Sequence, residues 1–290
     1  MMNKFKLIWG GALLAVAGLA HADPFYLDIG QNYDPAGGGK QCPTCTSSKD
    51  QFTLRYDSQT IVTDVGAQNN GITVGDTTVT KGGLTVGGWD TNLITSLIPK
   101  QVFGNNSDNG FGSQYLISFG FTDLHGVVTG NVGPSPMISY GPTVISMYLT
   151  FDGVNSVHFM DIKVTGGQSD GLGTVLFGGA DFSNVDIAAA GIYANLFHST
   201  GYTCNGSSGF YDIWVGCGEA GSKETAINFV SHFDSDITET QIVANGNGTY
   251  SITSNHDGSA TFAVPEPASL ALVGLSLIGL AGVRRRKNAA

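Results

Sequence analysis

Charged side chains are scarce in this 290-residue chain: they make up 12% of it, and glutamate occurs only as Glu219, Glu224, Glu239 and Glu266. Basic residues are the scarcer sign, with 13 Lys and Arg against 23 Asp and Glu. A binding surface for nucleic acid needs clustered positive charge. The composition therefore argues against a nucleic-acid partner.

The sequence also lacks the patterns that usually carry catalysis. The five histidines beyond residue 22 show neither H-x-H nor H-E-x-x-H spacing. Residues 167–171 fit G-x-S-x-G, but the stretch that follows resembles a strand, whereas the hydrolase motif needs a helix there. A Gly-rich hairpin loop is the better interpretation of residues 167–171. We predict no catalytic residues, and hence a protein that is not an enzyme.

No cofactor is predicted, although one stretch of the sequence partly resembles a calcium-binding loop. Residues 105–110 resemble the start of a calcium loop, yet position one is Asn and no Glu stands at position twelve, so an EF-hand is excluded. A looser Ca²⁺ site that uses Asp108, Asp234 or Asp236 remains open at this point, but no metal ligand set is assigned.

The two ends of the chain have the sequence patterns of targeting segments. Residues 1–22 contain Lys4 and Lys6, an apolar stretch and the small-residue end Ala20-His21-Ala22 before Asp23. This order is typical of a secretory signal peptide that is cleaved after Ala22. We therefore expect export through the Sec pathway.

The C-terminal segment, residues 264–290, has three parts. Pro265, Glu266 and Pro267 form a stiff motif, since proline disfavours helix in the residue before it. Residues 268–283 are uncharged and apolar, and as a helix they would span about 24 Å, slightly less than a hydrocarbon core of about 30 Å. The basic stop, Arg284, Arg285, Arg286 and Lys287, should stay cytoplasmic by the positive-inside rule.

These residues together resemble the PEP-CTERM sorting signal of Gram-negative bacteria. The resemblance covers only about the last 30 residues, and it implies processing by exosortase, an integral-membrane cysteine protease. It further implies an inner-membrane precursor and then a place on the outer surface or in the extracellular matrix, with exopolysaccharide as the partner. Similar proteins have been linked to flocculation.

Without the two ends, the exported part of the chain is more acidic than the whole chain, whose net charge is −10. Two basic residues lie in the signal and four in the tail, which leaves seven basic against 23 acidic residues, a net charge of −16. Such a surface is soluble and self-repelling.

Residues 23–263 should form an all-β domain of the β-sandwich or jelly-roll kind. The 42 glycines disfavour long helices, and short alternating stretches are separated by hairpin signals such as Asp152-Gly153. Phe52, Leu54 and Tyr56 should share one face of a strand. A hairpin is predicted from residues 144–151 to residues 157–164, and short helices around residues 92–98 and 186–197.

Four cysteines lie in the exported part, an even number that favours disulfides. We favour Cys42 with Cys45 and Cys204 with Cys217, while the two other pairings remain open. The C-x-x-C spacing of Cys42 and Cys45 also fits a metal or redox site. Its loop-like flanks argue against the redox interpretation, and the lack of a second ligand pair argues against zinc.

The leading hypothesis is a non-enzymatic surface protein with a role in adhesion, flocculation or biofilm formation. One alternative is a secreted enzyme that acts on polysaccharide, which would need converging Asp and His side chains. Another is a module that binds glycan or ice. Exposed aromatics such as Trp89 or Trp214 would favour glycan, whereas a flat Thr ladder would favour ice, and the uneven spacing of Thr73, Thr78 and Thr85 weakens the ice interpretation.

Overall fold

Alternating burial along long strands is the main feature of the fold. The computed structural model describes residues 24–66, 71–83, 92–101, 104–132, 135–152, 155–217, 227–235 and 240–264. The described strands are β1 (Phe25–Leu27), β2 (Lys49–Thr63), β3 (Thr77–Gly83), β4 (Leu93–Pro99), β5 (Leu116–Val132), β6 (Ser135–Tyr140), β7 (Thr143–Thr150), β8 (Ser156–Ser169), β9 (Gly173–Asp181), β10 (Phe197–Ser199), β11 (Asn228–Ser235), β12 (Gln241–Ala244) and β13 (Thr249–Ala263).

The strands form one antiparallel sheet that closes on itself. Neighbours follow the order β2, β3, β5, β6, β8, β9, β11 and β13, and β13 then pairs with β2 from Thr249 opposite Thr63 to Ala260 opposite Phe52. At the other end of the ring, β4 stands between β2 and β5, and β7 stands between β5 and β8. The all-β prediction is confirmed, and the described strands make one closed sheet instead of the two packed sheets of a sandwich.

The interior of the ring is filled from alternate positions of each strand. On β2, Phe52, Leu54 and Tyr56 are all buried, as the alternation predicts. Aromatic rings close the end near β1 and β10, where Phe262 lies 5.3 Å from Phe197 and 5.1 Å from Phe210 between ring centroids. Each buried aromatic removes 150–250 Å² or so from water, so this cluster supplies much of the hydrophobic stabilisation.

Short helices lie outside the sheet. They are α1 (Ile187–Ala190), a 3₁₀ turn (Gly191–Asn195) and α2 (Phe210–Cys217). Asp186 caps α1 by accepting from the backbone N–H groups of Ala188 and Ala189, both at 3.1 Å. The helix predicted around residues 186–197 is confirmed in part: helical turns cover residues 187–195, whereas Phe197 begins β10. The helix predicted at residues 92–98 is wrong: this stretch is β4, because its buried residues Ile94 and Leu97 lie in register with Leu54 and Phe52 of β2.

Two hairpins follow the predicted turns. β7 and β8 pair antiparallel from Thr143 opposite Val164 to Thr150 opposite Ser156. β8 and β9 pair through Ser169 opposite Thr174, so the G-x-S-x-G stretch forms the end of β8 and the start of a hairpin turn, and no helix follows it.

Within the described ranges, no helix has the length and apolar character needed to cross a bilayer. The predicted signal peptide, residues 1–22, and the predicted membrane helix, residues 268–283, lie outside those ranges.

Candidate functional site

The interior of the closed sheet has a polar stretch between two apolar clusters. On β2 the inward positions run from Phe52 and Leu54 to Ser58 and Thr60, and a second, small apolar cluster of Val62, Val128 and Ile252 follows. The polar stretch contains a cavity. Ten of its described lining residues carry a hydroxyl group: Tyr56, Ser58, Thr60, Thr80, Ser135, Tyr140, Ser169, Thr174, Thr240 and Ser254.

The hydroxyl groups in the cavity are organised by bonds across neighbouring strands. Thr60 Oγ1 on β2 lies 2.8 Å from Thr80 Oγ1 on β3. Thr240 Oγ1, just before β12, lies 2.9 Å from Ser254 Oγ on β13. Because a hydroxyl has one donor and two acceptor sites, a single bond of this kind uses only part of the hydrogen-bonding capacity of a hydroxyl.

His256 is the titratable base of the cavity wall. Its Nε2 lies 2.7 Å from Ser58 Oγ, and its ring stacks on Tyr56 with the centroids 4.6 Å apart. Burial lowers the pKa of His256 to about 4, although the carboxylates of Asp57 and Asp257 act in the opposite direction. The imidazole is therefore neutral at pH 7.

The two tyrosines of the wall are also neutral. Burial raises the pKa of Tyr140 to about 12, with hydrogen bonds to Thr80 and Thr174 acting against that rise. Burial also raises the pKa of Tyr56 well above its usual value. Among the described lining residues there is no Asp, Glu, Lys or Arg. The wall therefore offers hydrogen bonds without a net charge.

The cavity is small and open on one side. Its interior offers about 60 Å³ to the centres of water molecules, and the free space including the mouth is about 620 Å³. Since one water needs about 10–15 Å³ by the first measure, the interior has room for several waters. Among the described strands, β12 pairs with β13 alone. Thr240, Ser169 and Ser254 of the lining are partly exposed, so solvent reaches the cavity wall at these residues.

The predicted disulfide between Cys42 and Cys45 is present. It lies beside Asp28, whose Oδ1 accepts from Thr44 Oγ1 at 2.7 Å. Ligand atoms of Asp28, Cys42 and Cys45 lie within 4.8 Å of one another. Because metals bind the thiolate form of cysteine, the bonded sulfurs are not available as ligands in this state.

The second predicted disulfide is described on one side only. Cys204 is buried and disulfide-bonded. Its predicted partner, Cys217, ends α2, and the side chain of Cys217 lies outside the described residues. The sequence has four cysteines, and Cys217 is the one that remains besides Cys42, Cys45 and Cys204.

Of the residues predicted as possible calcium ligands, the two that the structure describes, Asp108 and Asp234, lie apart. Asp108 forms an ion pair with the buried Lys49, next to the Cys42–Cys45 loop. Asp234 lies on β11, opposite Gly173 and Asp257. Asp236 lies outside the described residues.

Two further histidines contact polar side chains outside the cavity. His158 Nε2 lies 2.7 Å from Asp161 Oδ1, and His198 Nδ1 lies 3.0 Å from Ser208 Oγ. Burial lowers the pKa of His198, and Asp28 and Asp212 act against that shift. The exposed-aromatic criterion for glycan binding is not met at Trp214, which is buried. Thr78 is buried as well, and Trp89 and Thr85 lie outside the described residues.

The last strand leads directly into the C-terminal segment. β13 ends at Ala263, opposite Asn228, and Val264 after it is still buried. From Ser254 in the cavity wall to Ala263 the strand covers about 30 Å, at about 3.3 Å per residue. The cavity and the start of the C-terminal segment therefore lie at different ends of β13.

A family model for the PEP-CTERM protein-sorting motif matches residues 263–287, starting at the last residue of β13. This segment is a PEP-CTERM sorting signal. The predicted resemblance is thereby confirmed: the chain is an exosortase substrate with a cell-surface or extracellular destination. No curated protein matches the chain.

The PEP-CTERM residues themselves, Pro265, Glu266 and Pro267, and the basic stop, Arg284 to Lys287, lie outside the described residues, as do Ala20, Ala22 and Asp23 at the predicted signal cleavage site. The cavity was missed at the sequence level. The alternation of the sequence did contain the information needed to find it. Ser58 and Thr60 on β2, and Ser254 and His256 on β13, lie an even number of residues from the buried residues of the same strand, and so on the same face.

Proposed function

We propose that this protein is a non-enzymatic adhesion protein that exosortase sorts to the outer surface or extracellular matrix, where it takes part in flocculation or biofilm formation with exopolysaccharide. The observation that carries the proposal is the PEP-CTERM signal that begins where β13 ends. With Arg284 to Lys287 held in the cytoplasm, the domain in front of the signal is exported in an inner-membrane precursor.

The lining of the cavity supports the non-enzymatic part of the proposal. General acid–base catalysis on a polysaccharide uses a pair of carboxyl groups that flank the bond to be cleaved. The described lining of the cavity supplies His256 and hydroxyl groups, but no carboxylate. An imidazole with a pKa of about 4 is also a weak base at neutral pH.

The test separates sorting from simple anchoring. One variant deletes residues 265–287, and a second replaces Pro265, Glu266 and Pro267 with alanine but keeps the apolar segment and the basic stop. We expect the deletion to release the domain to the medium, and the alanine variant to accumulate as a membrane-bound precursor. Both should abolish surface retention and cell aggregation.

Cell fractionation with mass spectrometry of both chain ends gives the readout. A variant in which residues 100–101 become alanine serves as the control, because these residues are exposed and do not belong to the signal. Unchanged surface retention and aggregation in both signal variants would show that the proposal is wrong.

A further inference from the structure

We propose that the hydroxyl-lined cavity binds the terminal unit of an uncharged saccharide. The proposal rests on the adhesion role proposed above and names the chemical class of its partner. Its argument comes from the charge, hydrogen-bonding capacity, size and position of the cavity.

The charge of the wall selects a neutral ligand. No carboxylate, ammonium or guanidinium group belongs to the described lining, and His256 and the two tyrosines are uncharged at neutral pH. A charged ligand would lose its hydration without finding a counter-charge, which costs several kcal/mol or more. A phosphate, a uronic acid or an ammonium group therefore fits this wall poorly.

The hydrogen-bonding capacity of the wall matches a polyol. Thr60 bonds Thr80 and Ser58 bonds His256, and since a hydroxyl has three hydrogen-bonding sites, these bonds use only part of the capacity of Thr60 and Ser58. A sugar hydroxyl is both a donor and an acceptor, so it can donate a hydrogen bond to such a site or accept one from it. The ring of Phe121 and the side chains of Leu124 and Ile138 supply apolar contact for the C–H faces of a sugar.

Size and access limit the ligand to the end of a chain. The interior holds several waters, not a folded oligosaccharide, and the partial exposure of Ser169, Thr240 and Ser254 in the wall lets the remainder of a glycan extend past them into solvent. The wall is built on paired strands, so its hydroxyls are fixed before binding and little ordering entropy is lost.

Position agrees with a surface role. The sorting signal begins at the Ala263 end of β13, whereas His256 and Ser254 lie about 23 Å and about 30 Å earlier along that strand. A domain held at its C-terminal end would turn the cavity away from its attachment point, toward the glycans of the matrix or of another cell.

The test is saccharide binding by the full chain, purified in a zwitterionic detergent so that no sugar headgroup competes. Saturation-transfer NMR is run with glucose, galactose, mannose and N-acetylglucosamine as methyl glycosides, and with glucuronic acid. We expect at least one neutral glycoside to bind and glucuronic acid to bind at least about tenfold more weakly. Binding by none of the neutral glycosides, or equal binding of glucuronic acid, would overturn the proposal.

Variants locate the binding. The double substitution Thr60→Val and Thr80→Val keeps the shape and removes both partners of one bond, while Tyr140, which also bonds Thr80, keeps its bond to Thr174. Affinity should fall at least about tenfold. Tyr140→Phe, at the partly exposed wall, should weaken binding in the same direction and covers the case in which the double variant does not fold. Thr53→Val on the outer face of β2 is the matched control and should change nothing.

The outcome is distinguishable from that of the sorting proposal. The Thr60→Val/Thr80→Val protein should reach the surface normally but lose aggregation, since sorting does not involve the cavity. If this variant binds the glycoside as well as the unmodified chain does, the saccharide site lies elsewhere and the inference fails, whatever the sorting experiment shows.

Discussion

His256 shows how one buried side chain sets both the character of the cavity and the response of the protein to acid. Its ring lies between Tyr56 and Ser58, and the flanking carboxylates of Asp57 and Asp257 only partly offset the effect of burial. The pKa of His256 is about 4, against 6.5 for an ordinary histidine. As the pH falls, His256 is therefore protonated at a lower pH in the folded protein than in the unfolded chain.

This order of protonation predicts acid sensitivity. Stability from the neutral His256 is complete above about pH 6.5 and is lost as the pH falls toward 4, by about 3 kcal/mol in total, since one pKa unit corresponds to about 1.4 kcal/mol. His256→Gln should therefore lose less stability between pH 7 and pH 4 than the unmodified protein, measured by urea unfolding. His125→Gln, at an exposed position, is the control. Equal losses for His256→Gln and the unmodified protein would contradict the assignment.

Two glycines with nearly the same φ allow the cost of a positive φ to be distinguished from the cost of a steric clash. Gly83 at the end of β3 has φ of 100°, and Gly75 in the preceding loop has φ of 99°. A Cβ on Gly83 would lie 2.2 Å from the Cα of Gly120, whereas a Cβ on Gly75 would meet nothing within 4 Å. The space around the residue is thus the main difference between them.

Alanine at the two positions should give different losses of stability. Gly75→Ala should cost about 1–2 kcal/mol for the positive φ alone. Gly83→Ala should cost at least about 2 kcal/mol more, because the crowded neighbour is backbone and cannot change its rotamer. Thermal unfolding of both variants checks this, and equal losses would show that β3 and β5 can separate at little cost.

At the scale of elements, the local pairings were predictable and the closure of the sheet was not. The β7–β8 hairpin follows from alternation on both sides of Asp152-Gly153. The pairing of Phe52 with Ala260 joins residues far apart in the sequence, and no local pattern encodes it. β4 was misjudged because local propensity could not show that Ile94 and Leu97 lie against β2.

The cavity escaped prediction for a related reason. In an antiparallel strand one face commonly meets water, so Ser58 and Thr60 in sequence resemble solvent-facing residues. Only the closure of the ring by β13 turns that polar stretch inward, opposite Ser254 and His256. The sequence encoded the polar residues, whereas the inward direction came from a long-range pairing.

The loop that contains Cys42 and Cys45 has support beyond its disulfide. Asn109 Nδ2 donates to the carbonyl oxygen of Thr44 at 2.7 Å, and the Thr46 N–H donates to the Leu27 carbonyl at 2.9 Å. A disulfide between residues separated by three positions closes a short loop, so it removes little entropy from the unfolded chain.

Replacing both cysteines with serine should therefore lower the free energy of unfolding by only about 2 kcal/mol and leave the β-sheet signal in circular dichroism intact. Adding a reductant to this double variant then reports on the disulfide of Cys204 alone. Loss of the sheet signal in the double variant, before any reductant is added, would show that the loop is needed to form the fold.

At the scale of the molecule, the domain and its sorting signal meet without a spacer. Ala260, Phe262 and Val264 are buried in the core, and the residue after Val264 is the first proline of the signal. The same strand therefore closes the sheet and delivers the signal. This arrangement makes Val264 the last residue that the fold requires.

Two shortened chains test that boundary. A chain that ends after Val264 keeps every pair between β13 and its neighbours and should show the same midpoint of thermal unfolding as the processed protein. A chain that ends after Gly258 loses Ala260, Phe262 and Val264 from the core, and losing Phe262 alone is expected to cost about 3–5 kcal/mol. We expect this chain to be recovered unfolded or degraded. If it folds as well as the longer chain, closure by the end of β13 does not hold the domain together, and the sorting signal is not directly coupled to the fold.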